Sequence, residues 1–153
     1  MNWYRVSIDI SKITEIATKT RNLILTDEKQ TLRDKCLPVS RHLARLLINH
    51  GFRNSIVNRG LFKTDKPCMS IEIDPDYYFN DKALMEEARC NILHYWVEVN
   101  SSIIVDITAD QFNDELNSPF DKVFVSPKSS SERHTVITED YIDPKIIFPN
   151  ATF

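Results

Sequence analysis

Apolar and polar residues change their spacing several times along this chain, and each change marks an element. From Ile8, in IDISKITEIATKTRNLIL, residues Ile13, Ile16, Ala17, Leu23 and Ile24 recur at helical intervals. This predicts a helix over residues 10 to 25 with Asp9 or Ser11 as its N-cap. A charged connector, TDEKQTLRDK, precedes CLPVSRHLARLLINHG, which places Leu43, Leu46, Leu47 and Ile48 toward one side and Arg41, Arg45 and Asn49 toward the other. That segment is the strongest helix signal in the chain. Gly51 follows its last turn as a C-cap, and Pro38 is tolerated in the first turn, where no intrahelical N–H is lost. Cys36 then stands at the helix N-terminus.

Farther along, SIVNRGLF and CMSIEI have the look of short strands, and NDKALMEEARC of a brief helix with Asn80 as its N-cap. After residue 113 come the apolar run VFV, a polar SPKSSSERH loop and HTVITEDYIDPKIIF, which adds one or two edge strands before an extended tail.

The most informative pattern is a pair of strands. HYWVEV alternates His94, Trp96 and Glu98 with Tyr95, Val97 and Val99, and IIVDIT alternates Ile104, Asp106 and Thr108 with Ile103, Val105 and Ile107. Side chains point to alternate faces, so burying the apolar sets together requires Val99 to face Ile103 across the loop Asn100, Ser101, Ser102. That parity brings His94, Trp96, Asp106 and Thr108 onto the other face. Asp106 then lies opposite Trp96 and diagonal to His94, within side-chain reach. A one-residue slip would send Asp106 into the apolar face, so packing and chemistry agree on one register.

The order Cys36, His94, Asp106 supplies a nucleophile, a base and an orienting acid. A carboxylate bonded to one imidazole nitrogen fixes the tautomer and leaves the other nitrogen for the thiol. At a helix N-terminus, unpaired N–H groups and the helix dipole favour a thiolate. The oxyanion of an attacked carbonyl needs N–H donors. The Cys36 backbone amide offers one, and Gln30, six residues upstream, is a candidate for the second. Trp96 is either a core aromatic or a groove residue that supports the site. ADQF reads as a turn with Asp110 as cap and Phe112 buried, or with Gln111 pointing back to hold the site.

The segments DKCLPVSRHLARLLINHGF, RGLF and HYWVEVNSSIIVDITADQF resemble the transglutaminase-like branch of the papain-like cysteine hydrolases. They are also similar to the transglutaminase-like peptidases that process lasso-peptide precursors. The resemblance covers approximately residues 30 to 113. It implies an α+β, papain-like core in which a Cys-bearing helix packs on an antiparallel sheet carrying His and Asp, with Cys36, His94 and Asp106 as the triad. Because the family includes proteases, amide hydrolases, deamidases and acyl transferases, the substrate is not selected by it.

Composition narrows the remainder. At 153 residues, with 42% hydrophobic and 27% charged, the chain fits one domain over 1–153, with 1–29 an N-terminal helical segment and 114–153 a C-terminal extension. A net charge of −3 disfavours nucleic acid as a partner, and a total of 2 glycines disfavours loops that cradle phosphates. No run of about eighteen apolar residues suggests a membrane span, and MNWYRVSIDISK does not resemble a signal peptide. The 3 cysteines, Cys36, Cys68 and Cys90, are too few for a disulfide framework and lack zinc spacing, as do His42, His50 and His134. The expectation is therefore a cytoplasmic hydrolase without cofactor or metal, acting on a peptide or protein, with delivery to another cell as an effector a possible setting. The rival is a binding module with the same fold, holding a peptide in a groove rimmed by Trp96, Phe62 or Tyr95.

Overall fold

The computed structural model describes residues 3–24 and 35–142. The connector with Gln30 and the tail after residue 142 lie outside the described residues. Helix α1 (Trp3–Ile24) begins earlier than its periodicity predicts, so Asp9 and Ser11 fall inside it and cap nothing. Its inward stripe, Ile13 and Ala17, is fully buried. Helix α2 (Cys36–Asn49) follows the predicted bounds, and Gly51 beyond it adopts φ +99, the left-handed conformation that glycine tolerates at a helix end.

Five strands make one antiparallel sheet: β1 (Ser55–Lys63), β2 (Asn91–Val99), β3 (Ile103–Asp106), β4 (Phe124–Pro127) and β5 (His134–Ile142), in the order β4-β3-β2-β1-β5. The fold class is thus α+β. The predicted hairpin register holds, with Val99 opposite Ile103 and Val97 opposite Val105. Its turn has Asn100 at φ 53 and Ser101 at φ 57, and Ser102 N donates to Val99 O at 3.1 Å. Two central residues in the left-handed region match the twist of paired strands. Strand β3 is shorter than IIVDIT suggests because the Thr108 N–H turns back to Asp106 Oδ1 at 3.0 Å and the chain enters a 3-10 helix, Ala109–Glu115.

Two expectations between β1 and β2 fail. CMSIEI is not a strand: the Arg89 guanidinium donates to the Met69 and Ile71 carbonyls at 3.2 and 2.8 Å, so a side chain takes acceptors that a neighbouring strand would need. Helix α3 (Lys82–Arg89) forms as predicted, but its N-cap is Asp81, whose carboxylate accepts from Ala83 N and Leu84 N at 3.0 and 3.2 Å. Asn80 sits at φ 56 and belongs to the preceding turn.

The sheet separates two apolar regions. On the odd-numbered face, Val57, Val97, Val99, Ile103 and Val105 pack against Val39, Leu43 and Leu47 of α2 and Ile13 and Ala17 of α1. Full burial of a leucine such as Leu43 or Leu47 contributes roughly 1.5–3 kcal/mol. On the even-numbered face, Phe62 and Ile92 meet Ala109, Phe112 and Leu116. The sheet curls around this second face until Phe124, on one edge strand, stacks on His134 of the other, with ring centroids 5.3 Å apart. Within residues 114–142, β4 and β5 complete the sheet at its two edges. Among the described residues no helix is long and apolar enough to cross a membrane.

Candidate active site

His94 and Asp106 meet as strand parity requires. The His94 Nε2 to Asp106 Oδ2 distance is 2.8 Å, with side chains 0% and 1% exposed. An anionic carboxylate has no proton to give, so Nε2 carries the hydrogen and donates it. The other nitrogen, Nδ1, is buried and completes no hydrogen bond of full geometry. The Cys36 thiol is near enough to add both hydrogen-bond and charge support for the imidazolium.

Two features bring the thiol there. Ser40, one turn into α2, donates its hydroxyl to Tyr95 O at 3.3 Å and fastens the start of the helix beside His94. Strand β3 ends at Asp106, so among the described residues β2 has no paired strand on that side at His94, and this open edge is where α2 begins. The first intrahelical bond runs from Val39 N to Lys35 O at 3.0 Å. Cys36 and Leu37 therefore have N–H groups without an intrahelical acceptor, and Pro38 has none to offer.

The electrostatics follow from the geometry. Burial works against a charged imidazole, but the Asp106 charge and hydrogen bond outweigh it, and Cys36 adds to them; His94 is raised to about 9. Burial also works against the Asp106 carboxylate. The charge of His94, the hydrogen bonds from His134 and His94 and the charge of His134 hold it well below the usual carboxylate range.

Asp106 accepts four hydrogen bonds. Oδ1 takes Thr108 N at 3.0 Å and Thr108 Oγ1 at 3.3 Å, while Oδ2 takes His94 Nε2 and His134 Nε2, each at 2.8 Å. Every lone pair of a fully buried anion is thereby used, which is what makes its burial tolerable. His134 is the residue that sequence reasoning missed. It enters from β5, at the far edge of the sheet, and its strand pairing leaves no mark in local spacing.

The supporting residues divide. Gln111 points back, donating Nε2–H to Thr108 O at 2.9 Å and bracing the turn that presents Thr108 to Asp106. Asp110 is not a cap: both its oxygens accept from Arg21 of α1, at 2.7 Å each. Trp96 lies beside His94, with centroids 6.0 Å apart, but is fully buried, as is Phe62. Neither rims a groove. Gly60 makes room for the indole, since a Cβ there would stand 2.2 Å from Trp96 Cη2. That glycine had a sequence signal, because an isolated glycine inside a strand marks close approach. Among the described residues no cluster of His, Cys, Asp or Glu could hold a metal ion. Compared with known protein families, curated proteins and solved structures, the chain has no match.

Proposed function

We propose that the protein is a thiol-dependent amide hydrolase or acyl transferase of the transglutaminase-like, papain-like kind, acting on a peptide, isopeptide or glutamine side-chain amide. The observation that carries this reading is the buried His94 imidazole, bonded through Nε2 to Asp106 and turned toward Cys36 with Nδ1. Its sequence support is the ordered Cys, His and Asp within the segments that resemble that family.

In this reading the Cys36 sulfur attacks the amide carbonyl carbon, and the thiol proton resides on His94 Nδ1. A C–S bond forms as the carbonyl π electrons move onto oxygen. The Cys36 N–H, without an intrahelical acceptor, donates to that oxyanion. Collapse breaks the C–N bond, His94 gives its proton to the leaving nitrogen, and an acyl thioester remains. Water or an amine then attacks the thioester carbonyl as His94 accepts its proton, and collapse breaks the C–S bond to release the acyl product and return the Cys36 thiolate beside the protonated His94. Asp106 keeps its charge and holds the imidazole tautomer throughout.

The rival reading, a peptide-binding module, needs an aromatic-rimmed groove, and the burial of Trp96 and Phe62 removes two of its three walls. The deciding experiment is turnover of a panel of peptide and glutamine amides by wild type and Cys36→Ala. Turnover lost in a variant with an unchanged melting curve is expected. Turnover retained by Cys36→Ala would sink the assignment.

A further inference from the structure

The Asp106 carboxylate serves two imidazoles, one from the adjacent strand β2 and one from the far edge strand β5, and only the first of them faces the thiol. We infer that His134 is a positioning residue of this site: its Nε2–H ends on the same Asp106 oxygen as that of His94 and fixes the carboxylate's rotation so that this oxygen faces His94.

The argument begins with what holds the carboxylate. Thr108 lies two residues away and pins only Oδ1. Rotation about the Cβ–Cγ bond is then limited by whatever grips Oδ2. If His94 alone did so, the acid meant to orient the imidazole would itself be oriented by it. His134 supplies an independent second grip.

His134 is well placed to serve as an anchor. Ser131 Oγ lies 2.7 Å from its Nδ1, so both ring nitrogens are bonded. When the ring is neutral, Nε2 carries the hydrogen and Nδ1 accepts from the Ser131 hydroxyl. Phe124 stacks on one face at 5.3 Å and 16°, while Phe62 and Trp96 meet it edge-on at 5.2 and 4.9 Å. Among the described residues, the titratable groups in contact with it are Asp106 from β3 and His94 from β2. The elements β1 and β4 present rings, and the loop before β5 presents a neutral hydroxyl.

The catalytic consequence rests on the proposed hydrolase function, whereas the positioning role is readable without turnover. The test follows the His94 imidazole by NMR titration in the full chain for wild type, His134→Phe and His134→Gln. His134→Phe keeps the ring packing and removes the donor, and His134→Gln restores an N–H. The Phe variant is expected to lower the His94 midpoint by about one pH unit or more, because a carboxylate free to rotate holds an imidazolium less well. The Gln variant is expected to recover most of that loss. A midpoint unchanged or raised in His134→Phe overturns the inference. If that variant does not fold, Ser131→Ala is read instead, with a lowered midpoint expected and an unchanged one overturning it. Repeating the titrations in Cys36→Ser separates the two readings, since a shift seen in a protein without turnover upholds the role of His134 even where the hydrolase reading fails.

Discussion

The Arg21 guanidinium closes a two-bonded fork on the Asp110 carboxylate, NH1 to Oδ1 and NH2 to Oδ2 at 2.7 Å each, tying α1 to the 3-10 helix that starts three residues after Asp106. The same NH1 reaches Ile107 O at 2.6 Å and Lys122 O at 3.2 Å. One buried cation therefore joins the N-terminal helix, the end of β3 and the approach to β4. A fork of this geometry also fixes direction, which a lysine could not do. Removing one partner strands the other charge in a nearly dry place, so Arg21→Ala should destabilise the fold by about 3–5 kcal/mol. Urea unfolding of Arg21→Ala, Asp110→Ala and the double variant checks this. The double variant should lose much less than the sum of the singles, and additive losses would show that the fork is not coupled.

The imidazole of His94 should leave a mark on stability against pH. Its affinity for a proton is raised in the folded chain, from 6.5 to about 9, so the folded state holds a proton that the unfolded state gives up. The contribution is complete below about 6.5, declines as pH rises and is gone above about 9. Asp106 works in the other direction. Its proton affinity is depressed, so its contribution is present above the ordinary carboxylate range and disappears as pH falls. Urea midpoints measured from pH 5 to pH 10 should fall across the alkaline window in wild type and stay flatter in His94→Gln. Equal slopes in the two proteins would mean that the His94 charge is not coupled to folding.

What the sequence disclosed about this site depended on distance along the chain. His94 and Asp106 sit on adjacent strands joined by a three-residue turn, so period-two alternation was enough to place them together. The Cys36 helix was legible from its apolar stripe and its glycine end. The approach of its first turn to His94 was not, because it depends on β3 stopping at Asp106 and on the Ser40 bond to Tyr95 O. His134 was invisible for a related reason. Nothing in HTVITEDYI says that its strand pairs with β1, or that the sheet curls far enough to carry an edge residue over to Asp106. The CMSIEI error has the same origin: alternation was present, but Arg89, 18 residues past Ile71, claimed the carbonyls.

Gly60 gives a packing prediction. A Cβ at this position would meet Trp96 Cη2 at 2.2 Å and the Thr135 carbonyl oxygen at 2.3 Å. One obstacle is a fully buried ring and the other is backbone of β5, so neither moves cheaply. Gly60→Ala should therefore cost about 1–3 kcal/mol through overpacking. Trp96 neighbours both His94 and His134, so the displaced indole should also shift their NMR signals. A variant as stable as wild type, with unmoved histidine signals, would show that β1 and β5 separate more easily than this packing implies.

The thiol itself offers the most direct chemical prediction. Cys36 stands beside an imidazole that keeps its proton up to about pH 9. A thiolate paired with an imidazolium reacts at pH values where an isolated thiol is mostly protonated. Iodoacetamide should therefore alkylate Cys36 near neutral pH about tenfold faster or more in wild type than in His94→Ala, with the site read by peptide mass spectrometry. The two rates should converge above about pH 9, where the imidazole is neutral and offers no charge. Cys68 is an internal reference. It is buried, 3.1 Å from Ser70 Oγ, and its rate should not respond to His94. Superimposable Cys36 profiles across the whole pH range would make this thiol an inert packing residue and return the Cys36 site to a structural role.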